Sequence, residues 1–162
     1  MPSRPDPVAT PDDAARSLAR RLLAEATHAG LAVIDARDGL PGISRIAFAR
    51  LPDGTLCSLI SGLAPHYAAL QATPSCALMV GEVGAKGDPL TSPRLMIKAE
   101  ARFVAATDPA RPQLRAEWLA LRPRSTVYVD LGDFAFIRFR PLSALLNGGF
   151  GKAFSFGPDD LA

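Results

Sequence analysis

Histidine and cysteine are scarce in this chain, two of each in 162 residues, and that scarcity narrows its chemistry. Cys57 and Cys76 cannot build a disulfide framework, and neither stands in CxxC or ligand spacing with His28 or His66. No metal site is expected, and both thiols read as small apolar core groups. A nucleophilic triad lacks the GxSxG signature and has only those two histidines to draw on as a base. Charge of one sign is missing as well. Eighteen Lys+Arg against 16 Asp+Glu leave +2, which is neither a basic nucleic-acid arm nor an acidic tail. No apolar run approaches the roughly 18 residues of a spanning helix. Met1–Thr10 carries three prolines and an aspartate where a secretory signal would be basic and then apolar. The expectation is a cytoplasmic protein with no nucleic-acid or membrane partner. Phosphate loops also fail: Ala153 follows Gly151-Lys152, Leu146 replaces the first Walker glycine, and Phe154 stands where GxGxxG needs its third glycine.

What is present is the composition of a folded globular chain, 48% hydrophobic and 21% charged. Its length suits one core, with residues 1–10 expected as a disordered segment and 11–162 as a single domain. Thr10-Pro11-Asp12-Asp13 predicts a helix start, the stripe Ala15, Leu18, Ala19, Leu22, Ala26 predicts a core-covering face, and Gly30 predicts the helix stop. The period then becomes strand-like over 31–35, 43–50 and 55–61, with turns at Gly39-Leu40-Pro41-Gly42 and Pro52-Asp53-Gly54. Pro65 opens and Thr73-Pro74 ends a short helix, 65–72. Residues 76–82 return as a strand, and 84–93 form a long surface loop. In 94–104, Leu95, Ile97, Ala99, Ala101 and Phe103 share one face, while Arg94, Met96, Lys98, Glu100 and Arg102 share the other. A further helix runs from Thr107 to Leu121, and strands are expected at 127–130 and 134–140. Trp118, Phe134 and Phe139 are assigned to the core. The pattern is mainly β with a few short helices, a β-rich barrel or α+β domain.

The chemistry-bearing residues left are cations and hydroxyls at strand ends: Arg45, Ser58, Ser61, His66 opening the short helix, Arg94 and Lys98. In an antiparallel barrel such groups can converge on an anion, helped by the free amides of the Pro65 helix, and phosphate is the natural guest. The competing reading is that Arg45, Arg94 and Lys98 are the solvated faces of half-buried strands.

The order of several stretches resembles the FMN-binding split barrels related to pyridoxamine 5′-phosphate oxidase, in particular the branch that includes the N-terminal part of haem-utilisation proteins. The matching stretches are Ser44-Arg45-Ile46-Ala47-Phe48, Ser58-Leu59-Ile60-Ser61-Gly62-Leu63-Ala64-Pro65-His66, Cys76-Ala77-Leu78-Met79-Val80-Gly81-Glu82, Gly87-Asp88-Pro89-Leu90, Pro93-Arg94-Leu95 and Gly149-Phe150-Gly151-Lys152-Ala153. The resemblance implies a six-stranded antiparallel split β-barrel with flanking short helices. It also implies an obligate homodimer with two FMN sites at its interface. By that resemblance the segment Arg45, Ile46, Ala47, with Ser58 and Ser61, holds the phosphate and ribityl chain, His66 reaches the phosphate, and Arg94 approaches the flavin from the partner subunit. Lys98 lies on the same strand face as Arg94, and Gly149, Phe150 and Gly151 match a turn near the ring. The stretch Gly157-Pro158-Asp159-Asp160-Leu161-Ala162 departs from the arginine-containing last strand of the oxidase, and no counterpart of the additional domain of the haem-degrading relatives is expected among these 162 residues. No substrate or electron donor is therefore carried over. The expected function is an FMN-dependent oxidoreductase, the alternative a non-catalytic flavin or haem carrier on the same fold.

Overall fold

The computed structural model describes residues 8–149 and 151–161. Helix α1 (Asp13–Glu25) starts where the Asp12 carboxylate accepts the Ala15 amide at 2.7 Å. The cap is thus Asp12 rather than Thr10. The helix ends with Ala26 as its cap, and Gly30, expected as the stop, lies inside strand β2 (His28–Ile34). Pairing overrides the local signal there: β2 is laddered on both sides, to β3 (Pro41–Ala47) and to β6 (Ser75–Val80). The turns at Gly39 and Gly54 hold φ of 72° and 89°, the left-handed region where glycine is at ease.

Strand β4 (Ala49–Arg50) pairs with β5 (Leu56–Ser61), and helix α2 spans Pro65–Ala72. Strand β7 (Arg94–Phe103), helix α3 (Arg111–Leu121), strand β8 (Phe134–Asn147) and strand β9 (Ala153–Phe156) follow. Strand β1 (Val8–Ala9) pairs in parallel with β9, so the end of the segment expected to be disordered is structured, while residues 1–7 lie outside the described residues. The ladder order is β1-β9-β8-β7-β6-β2-β3, and β5 joins through the first half of β8. Strands β3 and β5 approach within 8 Å at Cα, yet no ladder joins them. That open seam makes the barrel a split one.

Among the described residues there are nine strands where six were expected. Six are at least six residues long and build the wall; β1, β4 and β9, of two, two and four residues, are additions. Strand β9, and through it β1, exists because β8 runs for 14 residues, pairing with β5 through its first half and with β9 through its second, whereas β4 pairs with β5 alone. The register shifts opposite Lys98/Ala99, where Leu142 is the extra residue between Pro141 and Ser143, and this bulge stands beside Pro141, which has no amide to offer a ladder.

One apolar cluster fills the barrel: Leu31, Leu78, Leu95, Ile97, Ile137 and Leu146 from the wall, Ala19 and Leu23 from α1, Ala69 and Leu70 from α2. A second lies on the outer side of the sheet, where α3 brings Leu114 and Trp118 onto Ala49, Cys57, Leu59 and Phe136. Residues 127–130, expected as a strand, belong to a 3-10 turn over Pro123–Val127 and the bend after it. Pro123 favours that turn, and the Tyr128 and Val129 amides both bond back to the Ser125 carbonyl. Arg122 fastens the assembly. Its guanidinium donates to the carbonyls of Ala26 (2.7 Å), Phe48 (2.9 Å from Nε) and Leu121 (2.7 Å), tying α1, the β3–β4 corner and α3 together.

Candidate functional site

The pleat of β7 puts Arg94, Met96 and Lys98 on the outer side of the barrel, and register extends that face across five strands. Arg45 stands opposite Gly30, Gly30 opposite Met79, Met79 opposite Met96, and Met96 opposite Leu145. The adjacent row reads Ile43, Ala32, Ala77, Lys98, Ser143. The result is a flat floor of glycine, alanine and methionine, bordered by Arg45 on one edge and Lys98 and Arg94 on the other. Its apolar residues face solvent: Ile43 is 76% exposed and Met79 47%. With neighbouring strands about 4.8 Å apart, the two cationic edges lie roughly 14 Å from each other. Arg45 and Lys98 are exposed, with no hydrogen bond or ion pair to any described residue. Arg94 donates to the Leu90 carbonyl at 3.1 Å, which folds loop 81–93 back on its own strand. Gly81 permits that fold: at φ 120° an added Cβ would sit 2.4 Å from the Pro93 carbonyl oxygen.

A second group of expected residues lies at the seam. His66, in the first turn of α2, lines a cleft of about 220 Å³ with Val33, Asp35, Gly42 and Ser44. Burial holds its imidazole below the ordinary value, toward the neutral form. Among the described residues no side chain caps α2 and the His66 amide has no hydrogen-bond partner, so the helix start keeps a free donor. At the rim, Arg37 donates to Asp35 at 2.6 Å and its hydrogen bonds pull the Asp35 carboxyl down to about 2. Ser61 ends β5 beside the seam, accepting the Leu63 amide at 3.2 Å and donating to Asp133 Oδ2 at 3.3 Å.

The remaining expected residues are placed elsewhere. Ser58 is fully buried and its hydroxyl donates to the Ala47 carbonyl at 2.6 Å, so that proton already has an acceptor inside the wall. Ile46 points into the core, and Ala47 is half-buried beside it. Gly149 and Gly151 sit in the β8–β9 turn with φ of 119° and 72°; Phe150 lies outside the described residues. The structure therefore gathers Arg45, Lys98 and Arg94 around one floor and brings His66 beside Ser44 at the seam, while Ser58 faces neither. Sequence reasoning missed the floor itself, Gly30, Ala32, Ala77 and Met79, whose signal is small or flexible side chains on the outward-facing alternate positions. It also missed Asp133, which is 72 residues from the serine it meets.

No protein-family model matches the chain. A non-canonical haem oxygenase, HOZ, chloroplastic, from Arabidopsis thaliana is 33% identical over 119 residues, 72% of this chain. The chain spans 35% of that curated relative's length. One solved structure is 40% identical with a TM-score of 0.84, covering 94% of this chain and 98% of its own. HutZ, a haem storage protein of Vibrio cholerae, is 25% identical with a TM-score of 0.66 over 80% of this chain and 89% of its own. A putative pyridoxamine 5′-phosphate oxidase from Listeria innocua, at 16% identity and TM-score 0.63 over 83% of this chain and 98% of its own, shares the fold. The open seam, the long shared strand β8 and these likenesses agree. The chain has the fold of the pyridoxamine 5′-phosphate oxidase-like split barrels, and the proteins it is similar to include a haem storage protein and a haem oxygenase.

Proposed function

We propose that two copies of this chain pair through the outer floor and hold FMN at the junction, forming a flavin-dependent oxidoreductase. The observation that carries the reading is the uncovered floor of Gly30, Ala32, Ala77, Met79 and Met96 with unpaired cations at both edges. Small side chains leave room for a flat ring, and a second subunit removes apolar surface that a monomer would leave in water. The donors present fit the group. Arg45 and the free His66 amide suit a phosphate, a neutral His66 ring adds a hydrogen bond, and Ser61 supplies a hydroxyl once it turns from Asp133. Arg94 and Lys98 suit the polar edge of the ring, across the dimer junction. Bound FMN would supply hydride or electron transfer; the chain's part is to position it, exclude water and tune its potential. Residues 11–162 act as one domain in this reading, and the protein is cytoplasmic.

A second reading is haem binding, with storage or oxidative breakdown as its purpose. It rests on the 33% identity to a haem oxygenase and the 25% identity to a haem storage protein. The same floor and cations suit a porphyrin face and its carboxylates. Its demand is an iron ligand on that face, where His28 is the histidine at hand, and His28 Nε2 is engaged with Glu82 at 3.0 Å. Parallel titrations of the purified chain with FMN and with haemin separate the readings. Saturable flavin binding that Arg45→Ala and His66→Ala each weaken, followed by reduction with NADH or NADPH, supports the first. Haemin binding sensitive to His28→Ala, with no flavin uptake, replaces it by the second.

A further inference from the structure

We propose that the cleft between α2, the end of β7 and the start of α3, away from the outer floor, is a binding site for a small aromatic anion. This is a cleft of about 420 Å³, a volume typical of small-molecule sites. Its apolar lining includes three aromatic rings: Tyr67 and Phe103 meet edge to face with centroids 4.9 Å apart, and Phe134 lines the same space. All three rings are half-buried, leaving ring surface for a flat guest.

Two charged residues line the cleft, Arg111 and Asp130. The Arg111 guanidinium lies 5.8 Å from the centroid of Phe136, with no hydrogen bond or ion pair to a described residue. The nearby carboxylate, Asp130, is already held by Arg115 at 2.6 and 2.8 Å. Two half-buried cations therefore face one carboxylate, and Arg111 is the one that makes no ion pair with it. Hydrogen-bond donors border the same space. The amides of Ala105, Ala106 and Gly132 bond to no described residue, and neither do the Tyr67 hydroxyl and the Gln71 side chain. A planar ring against Phe103 and Phe134 would bring a carboxylate or phosphate substituent to the guanidinium, which is preorganised by its stacking on Phe136.

Calorimetric titration of the full chain with 2-naphthoate, its neutral amide 2-naphthamide and inorganic phosphate tests the site. Expected are saturable naphthoate binding, naphthamide about tenfold weaker and phosphate weaker still, because ring and charge are both needed. Arg111→Gln should weaken naphthoate about tenfold, and Ala106→Phe, which fills an exposed rim position, should abolish it. Arg45→Ala, on the outer floor, should weaken FMN binding while leaving naphthoate affinity as it was, so failure of this site and failure of the flavin reading remain distinct. The proposal is overturned by unchanged affinity in a folded Arg111→Gln, by equal affinity for acid and amide, by phosphate binding as well as naphthoate, by loss in Arg45→Ala instead, or by no binding up to about 10 mM.

Discussion

The outer side of the sheet has two halves built from the same strands' alternation, and they are finished differently. Over β4, β5 and the first half of β8, α3 lies on the sheet and buries Ala49, Cys57, Leu59 and Phe136 beneath Trp118. Over β3, β2, β6 and β7 no element of the described residues lies, and Ile43 and Met79 stay in solvent on the face that also carries Arg45 and Lys98. The covered half uses bulky, shape-specific side chains because its partner is fixed within the chain. The bare half uses glycine, alanine and methionine, which make a smooth and adaptable surface for something that is not part of the chain. Apolar surface here is thus of two kinds, one that holds the fold and one that awaits a partner.

Substitutions on the two halves should separate these roles. Trp118→Ala should cost the most, about 4 kcal/mol, since the side chain is fully buried and its removal leaves a cavity between α3 and the sheet. Trp118→Phe should lose much less, because the indole Nε1 has no hydrogen-bond partner to forfeit; urea unfolding measures both. Arg122→Met should cost about 3 kcal/mol by stranding the carbonyls of Ala26 and Phe48. If it unfolds at the wild-type denaturant midpoint, the clasp contributes nothing.

Met79→Asp should behave oppositely, changing the chain's own stability by less than about 0.5 kcal/mol while lowering self-association in sedimentation. A large loss of stability without change in association would put Met79 among the residues that hold the fold. Thiol chemistry draws the same line at smaller cost. Burial pushes the Cys57 thiol up to about 12, so under α3 it should react with a disulfide reagent only on unfolding.

The smallest effect is at His66. Burial lowers its folded pKa from the ordinary 6.5, so the fold favours the neutral ring. Its contribution is complete above 6.5 and is lost as pH falls through 6.5 toward the folded value. An imidazole titration by NMR should show a midpoint below 6.5, and a midpoint above it would mean a charged partner at the seam.

Helix α2 was legible to the residue, because Pro65 and Thr73-Pro74 act locally on backbone geometry. Strand β7 was nearly so, since its strict alternation needs no partner to be seen. Strands β9 and β1 were invisible: four and two residues carry no period and exist only because β8 extends past Pro141 to receive them. Gly30 read as a helix stop because its local preference was clear and its two flanking ladders were not. At the site, the shared strand face of Arg94 and Lys98 could be read from spacing. That Ser58 would donate inward, to a carbonyl 11 residues away, and that Asp133 would sit on Ser61, depended on contacts the sequence does not display.

Alternation and punctuation alone determined a mainly β chain with short helices, an apolar and a polar face on its longest alternating strand, and cations at strand ends. These properties follow from side-chain period and from residues whose effects reach only a few neighbours. Which outward face α3 would cover, which would stay bare, and where Arg111 would be left without an ion pair were decided by tertiary packing. Each depends on strands brought together from distant positions, and burial and charge pairing are properties of that arrangement and not of any one segment.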